Sequence, residues 1–171
     1  MTKTVKAVYP GSFDPVTLGH VDIIKRALKI FGTLTVLVAD NSRKQVLFSA
    51  QERKDLLQES LSDLKGITID IFSGLTMDYA KKSGAGVVIR GLRAVSDFEY
   101  ELSMATMNRK LNPDIETLVI MSGENFYYIA SNTVKEVALF GGNLTGLVPE
   151  PVIRALKNKL LNSTQTEGKR K

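Results

Sequence analysis

The chain has 171 residues, 43% of them hydrophobic and 24% charged, with Lys+Arg 23 against Asp+Glu 18 and a formal net charge of +5. This length and balance suit one globular domain and exclude a disordered, fibrous or membrane-embedded chain. With no cysteine there is no disulfide, thiolate metal site or cysteine nucleophile, and a single histidine excludes zinc centres needing two or three imidazoles.

No apolar run reaches the ~18 residues of a membrane span, and the start lacks the basic-then-apolar pattern of a secretory leader. A cytoplasmic protein without a membrane partner is expected. Three of the positive charges are the closing Lys169, Arg170 and Lys171. No stretch gathers basic and aromatic residues as a nucleic-acid binder would, so small anionic ligands suit the charge balance better.

Short β-branched apolar runs at residues 5–9, 34–39, 67–72, 87–89 and 117–121 read as strands. Between them, residues 21–31, 51–64, 75–82 and 97–111 carry apolar side chains at three and four spacing, as in Ile23, Ile24, Ala27, Leu28 and Phe31, the mark of amphipathic helices. Ser49-Ala-Gln-Glu52 and Ser96-Asp-Phe-Glu99 both fit the capping box, in which hydroxyl and carboxylate satisfy orphan amides reciprocally. A polar loop follows Met121, then a helix over residues 132–140, a Gly-Gly break, and a last helix opened by Pro149-Glu-Pro151. The alternation predicts a single α/β domain over residues 1–161, a Rossmann-like doubly wound sheet of five parallel strands, with residues 162–171 as a disordered polar basic tail.

Open α/β sheets bind ligands beyond the carboxyl ends of their strands. The first such loop, Pro10-Gly-Ser-Phe-Asp-Pro-Val-Thr-Leu-Gly-His20, ends where the first helix begins. Its glycines allow close backbone approach, and the helix start offers free amides and a positive dipole end for an anion beside His20. A lone histidine is more often a satisfied structural residue, but this position favours donation to phosphate. Ser12 and His20 lack the Gly-x-Ser-x-Gly elbow of a hydrolase. The second loop carries Arg43-Lys44, the third Ser73-Gly-Leu-Thr76, and the fourth Arg90-Gly-Leu-Arg93. Those two arginines either pair with Asp97, Glu99 and Glu101 or bind phosphate, whose oxygens match a guanidinium fork. The fifth loop, Ser122 to Asn132, leads into another helix start, at which Ser131 would be at least an N-cap. Neither Gly-x-Gly-x-x-Gly nor Gly-x-x-x-x-Gly-Lys-Ser/Thr occurs. Cations without a nucleophile or general-base cluster suggest phosphoryl-type transfer, where positioning and charge relief do most of the catalysis.

The first loop resembles the T/H-x-G-H signature of the nucleotidylyltransferase superfamily. Ile89-Arg-Gly-Leu-Arg-Ala-Val-Ser-Asp-Phe-Glu-Tyr-Glu101, Met107-Asn-Arg109 and Val134-Lys-Glu-Val-Ala138 resemble, in order, the bacterial phosphopantetheine adenylyltransferases, with the likeness running over residues 4–160. That resemblance implies AMP transfer from ATP to 4′-phosphopantetheine, giving dephospho-CoA and pyrophosphate, with Mg2+ carried by the ATP phosphates. It also implies a homohexamer inhibited by CoA. Its catalytic residues would be His20, Lys44 and Arg93. ATP would meet Ser12, Phe13, His20, Gly91, Leu92, Arg93, Glu101 and the run Phe126, Tyr127, Tyr128, Ile129, Ala130, Ser131 and Asn132. Phosphopantetheine would meet Ser12, Lys44, Leu75, Thr76, Arg90, Met107 and Asn108. Ser12 stands where many members have threonine, and Ala130 removes one hydroxyl from a loop that is often serine-rich. The same superfamily motif also fits enzymes using CTP, nicotinamide mononucleotide or glycerol phosphate. A non-catalytic flavodoxin-like module, with Asp40 as its strand-end aspartate, is the reading from a different class.

Overall fold

The computed structural model describes residues 5–41 and 45–167. In chain order the elements are β1 (Ala7–Gly11), α1 (Leu18–Phe31), β2 (Leu34–Ala39), α2 (Ala50–Ser60), β3 (Ile67–Phe72), α3 (Thr76–Ser83), β4 (Val87–Leu92), α4 (Val95–Leu111), β5 (Glu116–Met121), α5 (Ser131–Leu139) and α6 (Glu150–Glu167). The strands form one parallel sheet in the order β3-β2-β1-β4-β5, the doubly wound arrangement expected.

Alternation along the strands divides the core. Tyr9, Val36, Val38 and Ile89 face a layer that includes Ile24 and Ala27 of α1, Leu57 of α2, Val134 of α5 and Leu156 of α6. Val8, Leu37 and Val88 face the opposite way, against Met77 and Ala80 of α3 and Ile115.

The feature that makes the site is a split in the sheet. β1 pairs with β4 only at Ala7↔Val87 and Val8↔Val88. Beyond that point β1 follows β2 as far as Gly11↔Val38, and β4 follows β5 as far as Leu92↔Met121. Strand order reverses at this same place, so the crevice lies where ligands of open α/β sheets bind. Pro10, which has no N–H to give, is in register with Leu37 beyond the last β4 pair, so a proline fits a central strand here.

Several boundaries move. β1 begins at Ala7 rather than Val5 and takes in Pro10 and Gly11, while β4 runs on through Arg90, Gly91 and Leu92. α2 stops at Ser60: Leu61 and Leu64 keep helical spacing with Leu57, but the chain turns at Leu61 and reaches Gly66 at φ +83. The Ser49 capping box forms, with the Ser49 N–H donating to Glu52 at 2.7 Å and the Glu52 N–H to Ser49 Oγ at 3.2 Å. The Ser96 box does not, because α4 starts earlier, with Ala94 as its N-cap, and Ser96 falls inside the first turn. α6 runs from Glu150 through Glu167, and residues 162–167 contain no glycine or proline to stop it.

Arg53 ties the open end together. It occupies the buried stripe of α2 with Leu56 and Leu57 and is 1% exposed. Its guanidinium donates to the carbonyls of Phe48 (3.1 Å), Ser49 (3.3 Å), Ser12 (2.8 Å) and Ala39 (3.1 Å) and to Asp40 Oδ1 (3.2 Å). Arg53→Met leaves several acceptors without donors and should cost on the order of 3 kcal/mol, read as a lowered urea midpoint. Arg53→Lys, lacking the fork, should recover only part of that loss.

Candidate active site

A cavity of about 720 Å³ opens at the split, walled by the ends of β1 and β4, the β1–α1 loop, α4 and the start of α5. Ser12, Phe13, His20, Thr76, Arg90, Gly91, Arg93, Glu101, Ala130, Ser131 and Asn132, all singled out from sequence, line it. Lys44 lies outside the described residues. Leu75, Leu92, Met107, Asn108, Phe126, Tyr127, Tyr128 and Ile129 are not on the cavity wall. For some the reason is visible. Asn108 is buried and donates to Thr117 Oγ1 at 3.2 Å, Ile129 is buried in the core, and Tyr127 and Tyr128 are exposed, edge to face with each other.

His20 is held by a capping box of unusual composition. Thr17 is the N-cap of α1 and His20 its third residue, the place usually held by glutamate. The Thr17 N–H donates to His20 Nδ1 at 3.0 Å, and Thr17 Oγ1 lies 3.0 Å from the same nitrogen while accepting the His20 N–H at 3.4 Å. A backbone N–H only donates, so Nδ1 must be the bare nitrogen and Nε2 carries the proton. Phe13, with φ 48, turns the loop so that its buried ring meets His20 edge-on at 5.1 Å and Tyr9 at 5.5 Å. Left-handed backbone is costly for an aromatic residue and persists where surroundings fix it. Burial, and after it the charge of Arg93, lowers the His20 pKa from 6.5 to about 4. At neutral pH His20 is thus an uncharged Nε2–H donor on the cavity wall.

The arginines do different jobs. Arg90 forms a bidentate pair with Glu101, Nε to Oε2 at 2.6 Å and Nη2 to Oε1 at 2.8 Å, and Glu101 is one of two buried side chains of α4 among the described residues. That hydrogen bond raises the Arg90 pKa further, against the opposing effect of burial. Arg93 is more exposed. Its Nε reaches Asp97 Oδ2 at 3.3 Å and its Nη1 the Ile129 carbonyl at 3.4 Å. Ser131 is the first residue of α5, not its cap, and its hydroxyl donates to the Pro15 carbonyl at 2.8 Å, fastening the α5 start to the β1–α1 loop. Tyr9 fills the split from β1: a Cβ on Gly91 would come 3.3 Å from the Tyr9 hydroxyl and 2.4 Å from Ile23 Cδ1. Burial raises the Tyr9 pKa, so its hydroxyl stays protonated.

Sequence reasoning missed Asp14, Thr17, Arg53 and Lys135. Asp14 is 5% exposed and accepts from the backbone N–H groups of Leu47 and Phe48 and from Lys135 Nζ. Each had a signal. Arg53 is a charge in the i, i+3, i+4 stripe of a helix, and Asp14 is a carboxylate between the buried Phe13 and Pro15-Val16. Asp40, the strand-end aspartate of the binding-module reading, is held by Arg53.

A crevice at the switch point of a parallel sheet, with a neutral imidazole donor, guanidiniums and the amide end of α5, is chemistry for the phosphates of a nucleotide. Its carboxylates Asp14 and Glu101 are both engaged by cations. This defines a nucleotidyltransferase type of site. The family model described as cytidylyltransferase-like matches residues 8–137. A phosphopantetheine adenylyltransferase of Bdellovibrio bacteriovorus is 58% identical over 90% of this chain and 96% of its own. The one of Thermotoga neapolitana is 51% identical over 96% and 99%. In fold, the chain is similar to a putative nicotinate-nucleotide adenylyltransferase structure from Vibrio parahaemolyticus, at TM-score 0.66 and 16% identity over 90% of this chain and 99% of that one. The chain belongs to the phosphopantetheine adenylyltransferase family.

With one histidine in the chain, its ring resonances are unambiguous. An NMR titration should give a midpoint of about 4 rather than 6.5. Between those values the unfolded chain binds the proton first, so the His20 contribution to stability is complete above 6.5 and is lost as pH falls toward 4. A midpoint near 6.5 would remove the neutral-donor assignment.

Proposed function

We propose that the chain transfers AMP from ATP to 4′-phosphopantetheine, forming dephospho-CoA and pyrophosphate in the penultimate step of CoA synthesis. What carries this reading is the neutral His20 donor sharing one cavity with Arg93 and the start of α5, in a chain 58% identical to a relative named for that activity.

The acceptor phosphate is already a nucleophile at neutral pH, so the site needs neither a base nor a covalent intermediate. One of its oxygens bonds to the α-phosphorus of ATP as the bond from that phosphorus to the pyrophosphate oxygen breaks. Charge grows on the equatorial oxygens and on the leaving group. His20 Nε2–H donates to an α-phosphate oxygen, and being uncharged it stays bonded to Thr17 throughout. Arg93 and the α5 amides take the β- and γ-phosphates, while Ser12 and Lys44 hold the acceptor phosphate. Arg90 and Thr76 contact the acceptor, and Glu101 fixes Arg90. Bound to the ATP phosphates, Mg2+ would supply further charge neutralisation; the wall's buried carboxylates, held by Arg90 and Lys135, would leave it to the nucleotide to carry the ion. CoA, which contains the product's skeleton, competes for the same cavity.

A cytoplasmic location accords with this role; among the described residues no helix is long and apolar enough to cross a membrane. We extend the reading to a homohexamer. Among the described residues of α4 the buried side chains are Glu101 and Asn108, whereas Val95, Phe98, Leu102 and Leu111 are exposed, as are Leu118, Val119 and Met121 of the edge strand β5. An unpaired strand edge together with exposed apolar side chains calls for a partner surface, and a second copy supplies one.

The first test incubates the protein with Mg2+, ATP and 4′-phosphopantetheine, quantifies pyrophosphate and weighs the organic product. Dephospho-CoA and pyrophosphate should appear together. His20→Ala should keep the fold and ATP affinity while turnover falls ~10²–10³-fold. Silence with this pair and turnover with CTP or another acceptor would replace the substrates. For the assembly, light scattering should give six times the chain mass, and Leu102→Glu should lower it; a monomeric wild type rejects the hexamer.

A further inference from the structure

We propose that Lys135 and Asp14 form a positioning relay through which α5, on the ATP side of the cavity, sets the acceptor-side segment between β2 and α2. For its substrates the proposal rests on the adenylyltransfer reading above.

Three parts of the chain meet on one buried carboxylate. Asp14 Oδ2 accepts from Lys135 Nζ at 2.9 Å and from the Leu47 N–H at 3.0 Å, and Oδ1 accepts from the Phe48 N–H at 2.9 Å. The ammonium comes from the second turn of α5, the carboxylate from the β1–α1 loop, and the two amides from the residues just before the Ser49 cap of α2. Arg53 holds both ends of the same β2–α2 connection through other atoms, the Ala39 carbonyl and Asp40 at one end and the Phe48 and Ser49 carbonyls at the other. The β2–α2 connection, from which Gln45 and Val46 line the cavity, is therefore held by both Arg53 and Asp14, and Asp14 is the one linked to α5.

The linkage has a direction. A buried carboxylate bonded only to neutral amides lacks a counter-charge, and its own loop must move toward water to recover solvation. Lys135 supplies the counter-charge, so Asp14 can stay in place and hold both amides. Lys135 also lines the cavity, but with its ammonium on Asp14 its effect reaches the acceptor through the Leu47 and Phe48 backbone. A lysine carried by the helix that opens at Ser131 should thus govern the affinity for the other substrate.

Lys135→Met and Lys135→Arg decide this with two readouts. Amide hydrogen exchange needs no substrate: in Lys135→Met the Leu47 and Phe48 amides should exchange at least about tenfold faster, with the Val36 and Val38 amides of β2 unchanged. In steady-state kinetics KM for phosphopantetheine should rise about tenfold while KM for ATP stays within about twofold. Lys135→Arg, which can still pair with Asp14, should return both readouts toward wild type. Unchanged exchange at Leu47 and Phe48, equal acceleration across β2, or a KM change confined to ATP would each overturn the relay. If wild type does not turn over phosphopantetheine, the substrate reading fails while the exchange result still judges the relay.

Discussion

Everything at the open end of this molecule follows from the parting of β1 and β4 after a single pair of paired positions, Ala7↔Val87 and Val8↔Val88. A parallel sheet that stayed paired to its end would leave no crevice between its central strands. Here each strand keeps its outer neighbour and gives up the inner one. The freed space is shaped from both sides: Tyr9 reaches over from β1, and Gly91 on β4 has no Cβ because Ile23 of α1 takes that volume. Phe13 then turns back at positive φ to stack its edge on the imidazole, so the strand end, the loop and the helix start become one rigid piece.

That rigidity rests on how charge is handled. Of the five buried polar residues among those described, Asp14, Thr17 and Glu101 line the cavity and Arg53 braces the loop beside it. Buried ions are costly unless matched, and each here is matched: Asp14 by Lys135, Glu101 by Arg90, Arg53 by carbonyls and Asp40. Arg93, near the surface, and an imidazole kept neutral are left facing the cavity. A charged imidazole would have added to the crowding of cations around Arg93; the neutral one donates a hydrogen bond without that penalty.

The fold was legible where periodicity and propensity agreed. β2 and β3 fall at residues 34–39 and 67–72 as read, because each is a β-branched run bounded by turn residues. Errors came where local rules met tertiary constraint. Ser96 and Glu99 have capping spacing, yet α4 begins at Val95 with Ala94 as its N-cap, which puts Ser96 one residue inside the helix. Thr17 and His20 have the same spacing and do cap, but with imidazole in place of carboxylate, a substitution that the usual pattern does not include. Several residues that line the cavity stand out in the sequence because they sit at strand ends and helix starts. Their braces did not, since a residue such as Arg53 acts through backbone carbonyls that any sequence presents, and only its place on an apolar stripe betrays it.

Helix α4 shows why fold and function cannot be assigned to separate surfaces. Glu101 and Asn108, seven residues apart, share its inward face, one holding Arg90 at the cavity and the other donating to Thr117 on β5. With these inward positions used for polar contacts, Val95, Phe98, Leu102 and Leu111 are left exposed, and α4 carries no single apolar face to seat against the sheet. The same helix carries exposed apolar side chains and, on its inner side, the carboxylate that aims Arg90 into the cavity. A change in how α4 sits therefore reaches the cavity by way of Glu101.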